Sequence, residues 1–230
     1  MIDRTPVSQA VARNIQSLIK KGEFPAGERL PSQRILAEQL GVSRPSLREA
    51  LMTLETLGLI HTYPGRGTFV VDHDSAPGMP DSSNWRYSER FAMQDVFEVR
   101  MLLEGQLARH AAQMAISDDI AILAAATDAM EQAWARQDLI ANVEEDLKFH
   151  RHVASKCRNA LLSQQYEQVA AYLVETQRQP IPFTAVNRMA ESIAEHRAII
   201  RALHTRDADA AETAMHTHIR NTARCAGVSV

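Results

Sequence analysis

Apolar residues recur at helical spacing along most of the chain. Val7, Val11, Ile15, Leu18 and Ile19 mark a first helix, which Gly22, Pro25 and Gly27 end. Ser32 is placed to cap a second helix reaching Gln39, with Ile35, Leu36 and Leu40 on its apolar side. Gly41 suits the left-handed turn that follows. Ser43 caps a third helix, which tolerates Pro45 in its first turn and buries Leu47, Leu51, Leu54 and Leu57. Leu59-Ile60-His61-Thr62-Tyr63 and Thr68-Phe69-Val70-Val71 are β-prone runs around Pro64-Gly65-Arg66-Gly67, a hairpin signal.

From Asp72 to about Ser88 the pattern stops, and Pro, Ser, Asp and Gly give the stretch linker composition. Beyond it there is no strand signal. Six helices are predicted, at roughly 92–115, 118–136, 138–156, 159–178, 187–204 and 207–224. Their candidate caps are Ser117, Gln137 or Asp138, Asn159, and Arg206 or Asp207. A short helix around Ser88–Met93 would make a seventh, and Gln179-Pro180-Ile181-Pro182 separates the fourth from the fifth. The expected fold is mainly α. A winged helix-turn-helix occupies 1–72, a linker 73–91, and an all-α antiparallel bundle of six or seven helices 92–230.

Composition narrows the function classes. The chain has 230 residues, 45% hydrophobic and 23% charged, which is globular and excludes a disordered or collagen-like chain. Two cysteines, Cys157 and Cys225, are too few for a disulfide framework and fit a reducing compartment. No apolar segment follows Met1–Pro6 as in a signal peptide, and none approaches the ~18 residues of a membrane span. A cytoplasmic protein with no membrane partner is expected. The net charge of −3 hides an asymmetry, because residues 1–72 carry nine basic side chains against seven acidic ones. A basic front on an acidic back suits a nucleic-acid module attached to something else.

In the front module the leucine stripe of the third helix must face the core. The opposite face then carries Arg44, Ser46, Arg48 and Thr53. Arg44 and Arg48 stand one turn apart, and arginine can bond guanine O6 and N7 with two parallel hydrogen bonds. The same residues could instead solvate a surface helix or pair with Glu49 and Glu55. Arg66 sits between Gly65 and Gly67 at the hairpin tip, where the backbone can approach a phosphate or enter a minor groove.

In the back half, Asp146 and His150 are spaced i, i+4 on the face that carries Leu139, Val143, Leu147 and Val153. His196 is in phase with Met189, Ile193, Ile200 and Leu203, and His218 with Ala211, Met215 and Thr222. A lone histidine on an apolar face is usually a satisfied core residue. Three histidines and an aspartate in phase on three helices of one bundle form a candidate divalent-metal site. Zinc comes first, with nickel, manganese and iron as alternatives. His152 and His216, two residues away and about 200° round the helix, should face outwards. Arg100 lies at the edge of the Val96–Leu103–Leu107 stripe. It can pair with Glu104 or clamp a carboxylate with its fork. Gln164, Gln168, Asn187 and Arg188 are further polar candidates.

Two resemblances sharpen this. Phe24-Pro25-Ala26-Gly27-Glu28-Arg29-Leu30-Pro31-Ser32-Gln33-Arg34, Leu36-Ala37-Glu38-Gln39-Leu40-Gly41-Val42-Ser43-Arg44, Leu47-Arg48-Glu49-Ala50-Leu51 and Gly65-Arg66-Gly67-Thr68-Phe69-Val70 closely resemble the GntR-family winged-helix signature. Gln33 departs from the usual Glu or Ala. The resemblance implies operator contacts from Arg34, Arg44 and Arg48, joined at the helix start by Ser43 and Ser46. It also implies a wing at Gly65, Arg66 and Gly67 that reaches the minor groove. Residues ~92–224 resemble the FCD domain through Glu98-Val99-Arg100, Leu103-Glu104, Asp146-Leu147-Lys148-Phe149-His150, Glu195-His196-Arg197 and His218-Ile219. That likeness implies metal ligation by Asp146, His150, His196 and His218. It also implies an organic-acid effector near Arg100, Glu104 and Asn159. Lys156-Cys157-Arg158 depart from the small residues usual before the Asn. The expected protein is a homodimeric, metabolite-responsive regulator, a repressor, on a pseudo-palindromic DNA operator, and not an enzyme. A metalloenzyme with an accessory winged helix is an alternative, although the repeated Glu-x-x-His of di-iron bundles is absent. A purely structural dimerisation bundle is another.

Overall fold

The structure, a computed structural model, describes residues 7–72, 85–178, 181 and 184–230. Most of the expected linker, 73–84, lies outside the described residues, as do Gln179, Pro180 and Pro182 of the expected helix break. The chain divides into two compact units, Met1–Gly78 and Met79–Val230.

The first unit holds α1 (Val7–Lys20), α2 (Gln33–Leu40), α3 (Arg44–Thr56), β1 (Ile60–Tyr63) and β2 (Gly67–Val70). Ser32 Oγ accepts from Ile35 N and caps α2, and Gly41 closes it at φ 65°. Ser43 Oγ accepts from Ser46 N and caps α3. Val11, Ile15, Leu36, Leu47, Leu51, Leu54 and Leu57 form the core. Val7 and Ile35, expected on buried stripes, are exposed, because each sits at the rim of its face. β1 and β2 pair antiparallel, Ile60 opposite Val70 and Tyr63 opposite Gly67. Residues 27–30 add to the free edge of β2 through Leu30 N–Thr68 O and Val70 N–Glu28 O bonds. Gly67 has φ 110°, and a Cβ there would stand 2.5 Å from Arg29 Nε, so the wing needs glycine at this place.

The second unit holds α4 (Met93–Met114), α5 (Ser117–Ala135), α6 (Leu139–Ser155), α7 (Ala160–Arg178), α8 (Val186–His204) and α9 (Ala208–Cys225). Among the described residues this is six helices. In place of a seventh, residues 85–91 form successive turns that close on Trp85 and Tyr87 carbonyls. This segment, read from sequence as linker, packs on the bundle. Trp85 is buried and donates from Nε1 to Phe91 O, and Tyr87 and Phe91 stack edge-on against Tyr172. Asp138, Asn159 and Asp207 accept backbone N–H bonds at their helix starts. Ser117 does not cap α5. The Asp119 carboxylate reaches back to Ile116 N and supplies the bond instead.

Candidate metal and effector site

Helices α6, α8 and α9 bring Asp146, His150, His196 and His218 together, as their apolar phase requires. One ligand atom from each lies within 4.8 Å of all the others. Metal–ligand bonds of about 2.0–2.2 Å need only small side-chain movement from that arrangement. All three rings are buried, and Phe149 packs edge-on against His196.

The outer nitrogens of two rings are hydrogen-bonded to oxygens, and that of the third makes a charge contact with a carboxylate. His196 Nδ1 donates to Ser192 O at 2.8 Å. His218 Nδ1 donates to Glu195 Oε2 at 3.0 Å. His150 Nδ1 stands 2.5 Å from Glu104 Oε2, and its Nε2 accepts from Arg100 Nη2 at 3.3 Å. An arginine can only donate, so His150 carries its proton on Nδ1. Such bonds to the outer nitrogen leave Nε2 lone pairs aimed inward and are how proteins orient ligating histidines. His196 Nε2 has no hydrogen-bond partner and stands 3.1 Å from Asp146 Oδ1. A buried nitrogen acceptor facing a partly exposed carboxylate oxygen at that distance calls for a positive charge between them. The donor set fits a divalent cation.

The electrostatics agree. Burial, with the neighbouring His196, pushes the His218 pKa down to about 3, against the bond to Glu195. His218 is thus a neutral donor at ordinary pH. Burial alone would raise the Asp146 pKa, but the positive charge that His150, His196 and His218 acquire on protonation outweighs it and lowers the pKa below the usual carboxylate range. Glu104 and Glu195 also resist burial and sit at about 2, held chiefly by Arg100 and His150 in one case and by His218 and Arg188 in the other.

A small cavity of about 40 Å³ opens beside the cluster, lined by Asp146, His218, Arg100, Arg188, Gln177 and Ser192 among others. Arg100 is fully buried, not at an edge. α4 is covered on that face, and the guanidinium is held by Glu104 (Nε–Oε1 2.9 Å) and Thr176 (Nη1–Oγ1 3.5 Å). Arg100 thus pairs with Glu104, the first of its two sequence readings, and also lines the cavity. Gln177 Nε2 donates to Asp146 Oδ2 at 2.8 Å and fixes the carboxylate. Arg188 forks onto Glu195 at 2.9 and 2.7 Å.

Other expectations need correction. Asn159 is exposed, does not line this cavity, and spends its Oδ1 on Leu161 N and Leu162 N as the α7 cap. His152 and His216 stay out of the cluster but are not solvated. They bond Asp119 Oδ1 (2.9 Å) and Met101 O (3.0 Å), because the far faces of α6 and α9 pack on α5 and α4. Gln164, Gln168 and Asn187 are exposed. Sequence reasoning missed Gln177, Ser192 and Glu195. For Glu195 only its place beside His196 was a signal.

On the first unit, Arg44 and Arg48 are exposed along one groove at the start of α3, with Gln33 and Glu49 beside them. Arg34 is exposed and pairs with Glu38 at 3.0 Å. Ser43 and Ser46 bond each other through their hydroxyls at 2.9 Å. Arg66 is exposed at the wing tip, its guanidinium 5.5 Å from the Tyr63 ring centroid.

A helix-turn-helix with a basic wing, in one chain with a helical unit that sets a His/Asp cluster beside a cavity, defines a DNA-binding transcriptional regulator with an effector domain. Comparison with known proteins gives the family. Residues 7–70 match the bacterial regulatory proteins of the gntR family, and residues 95–221 match the FCD domain. The Uxu operon transcriptional regulator of Escherichia coli (strain K12) is 30% identical over 219 residues, covering 93% of this chain and 84% of the relative. The HTH-type transcriptional regulator LutR of Bacillus subtilis (strain 168) is 30% identical over 210 residues, 89% of this chain and 94% of LutR. Among solved structures, E. coli McbR/YncC superposes with a TM-score of 0.56 at 18% identity, over 97% of this chain and 98% of that one. The chain belongs to the GntR family, in the group with an FCD domain. It is a transcriptional regulator and not an enzyme. Among the described residues no helix is long and apolar enough to cross a membrane.

Proposed function

We propose that this regulator is a cytoplasmic, homodimeric repressor that binds a pseudo-palindromic operator and responds to a small organic acid held at a metal in the FCD domain. The observation that carries this reading is the convergence of Asp146 and three Nδ1-tethered histidines beside a cavity lined by Arg100. Asp146, His150, His196 and His218 would hold the cation, which would supply a Lewis-acidic centre for the oxygen of a small acid. Glu104, Ser192 and Glu195 keep the rings aimed at it. Arg100 meets the acid with its fork. In the structure its Nη2–H is accepted by His150 Nε2 at 3.3 Å, so the guanidinium stands directly beside the ring. Arg44 and Arg48 read base edges in the major groove, Arg34 and the helix start contact the backbone, and Gly65–Gly67 carry Arg66 to the minor groove.

Metal analysis of purified protein tests the site. About one divalent ion per chain is expected, zinc before nickel, manganese or iron. His196→Ala and His218→Ala should lose it, and His152→Ala and His216→Ala should keep it. Equal loss in all four variants would exclude these ligands.

A further inference from the structure

Spacing offers Glu55 of α3 to an arginine of the same helix, but in the structure its carboxylate turns to the wing. Thr62 N donates to Glu55 Oε1 at 2.6 Å, and the Thr62 hydroxyl donates to Oε2 at 3.3 Å. That hydroxyl has a single proton, so it accepts in turn from the Thr68 hydroxyl, 3.1 Å away across the ladder. Glu55 follows Arg48 by seven residues, so the two lie on one stripe of α3 to within about 20°. The stripe that carries an arginine at the groove therefore also carries the contact to the wing.

A hairpin of two four-residue strands is too short to hold its own position. The outer edge of β2 is bound to residues 27–30 by backbone hydrogen bonds. On the outer edge of β1 a helix side chain takes that part, because the Thr62 N–H turns away from β2 to Glu55. A carboxylate accepting from a backbone N–H makes a stronger bond than a neutral acceptor does. From Thr62 the chain runs directly to the tip. Tyr63 O accepts from Arg66 N at 3.0 Å, and the Arg66 guanidinium lies 5.5 Å from the Tyr63 ring centroid. We infer that Glu55 is a positioning residue of the DNA interface, which locks the wing to the recognition helix and so presents Arg66 to the minor groove in a preorganised stance. This role depends on the wing reading proposed above and on nothing in the helical unit.

DNA binding by the full chain tests this, on a duplex that the wild-type chain selects from a random-sequence pool. Glu55→Ala deletes the acceptors, and Glu55→Asp keeps the charge but withdraws it by one methylene. Both should weaken binding about three- to tenfold, the range of one net hydrogen bond. Glu55→Gln can still accept from Thr62 N–H while its amide donates to the Thr62 hydroxyl, and it should stay within about twofold of wild type. In an Arg66→Ala background the Ala and Asp losses should vanish, since the wing then has no side chain to aim. Melting temperatures of the same samples show that each variant is folded, and Glu55→Asp carries the test alone if alanine unfolds the module. A carboxylate that merely repels the DNA backbone gives another pattern: Ala and Gln bind alike and more tightly, and Asp binds as wild type. Wild-type or tighter binding by folded Ala or Asp overturns the inference and leaves the wing standing. So does a loss that persists undiminished without Arg66. Wild-type binding by Arg66→Ala overturns the wing reading, and the role of Glu55 with it.

Discussion

At the scale of single residues, Arg100 shows how a fully buried charge is accommodated beside a cavity. Its burial is tolerable because Glu104 supplies the opposite charge and Thr176 a further acceptor. Lysine would keep the charge but could not donate in the same plane to Glu104 and to a carboxylate. Arg100→Lys should weaken binding of the effector acid by about 1.5–3 kcal/mol, the range for a lost hydrogen bond to a charged group. Metal content and operator affinity should stay near wild type. Titration calorimetry beside metal analysis checks this, and unchanged acid affinity would remove Arg100 from the effector site. The residue scale is also where the sequence was least legible. His216 was expected to face outwards, yet it fills a notch over Gly105, where a Cβ would stand 2.2 Å from its ring nitrogen. Helical phase says which face a residue occupies. It does not say whether another helix covers that face.

At the scale of elements, α3 and α7 do different kinds of work. α3 is specified locally. Ser43 caps it, its leucines face the core, and Arg44 and Arg48 are left outside by elimination. Arg48→Ala should cost about 1–3 kcal/mol in operator binding and relax preference at one base pair per half-site. Gel-shift titration against single-base operator variants measures both. A uniform loss across all variants would make Arg48 a phosphate contact. α7 is specified by what surrounds it. Three consecutive residues reach three different places. Glu175 is buried and accepts from Arg86 and Arg178, Thr176 meets Arg100, and Gln177 holds Asp146. One helical turn thus ties the segment following residue 84 to the His/Asp cluster. The sequence gives no periodic sign of this, because Glu175, Thr176 and Gln177 are polar residues whose partners lie in α4, α6 and the turns at 85–91.

At the scale of the whole molecule, acid should loosen the helical unit. Burial alone would raise the Asp119 pKa, but bonds from Lys156, Ile116 N–H and His152 outweigh it and hold it at about 2, against an ordinary 3.8. A carboxyl whose pKa is lowered on folding binds protons more readily when unfolded. Its contribution is therefore complete above about pH 4 and is lost as pH falls towards 2. Melting temperatures between about pH 6 and 2.5 should drop through that window, and less steeply in Asp119→Asn. An equal drop in the variant would assign the acid sensitivity elsewhere. Regulation has a thermodynamic signature at the same scale. An acid that changes operator affinity must have its own affinity changed by the operator by the same factor. Acid titrations with and without operator DNA should therefore differ, and identical curves would mean that the bound acid is not the signal.

The sequence by itself determined the local features: helix positions within a residue or two, caps such as Ser43 and Asp138, the wing, and the common apolar phase of Asp146, His150, His196 and His218. All of these are set by neighbours three or four positions away, which a linear reading sees. Only the tertiary structure decided that Glu104, Ser192 and Glu195 orient the rings and that Arg188 is already neutralised. It also decided that Asn159 serves as a cap and that residues from Trp85 onward pack on the bundle. Those outcomes depend on which faces of distant helices meet. There the burial of a charge forces each group to find its partner in whatever element lies opposite.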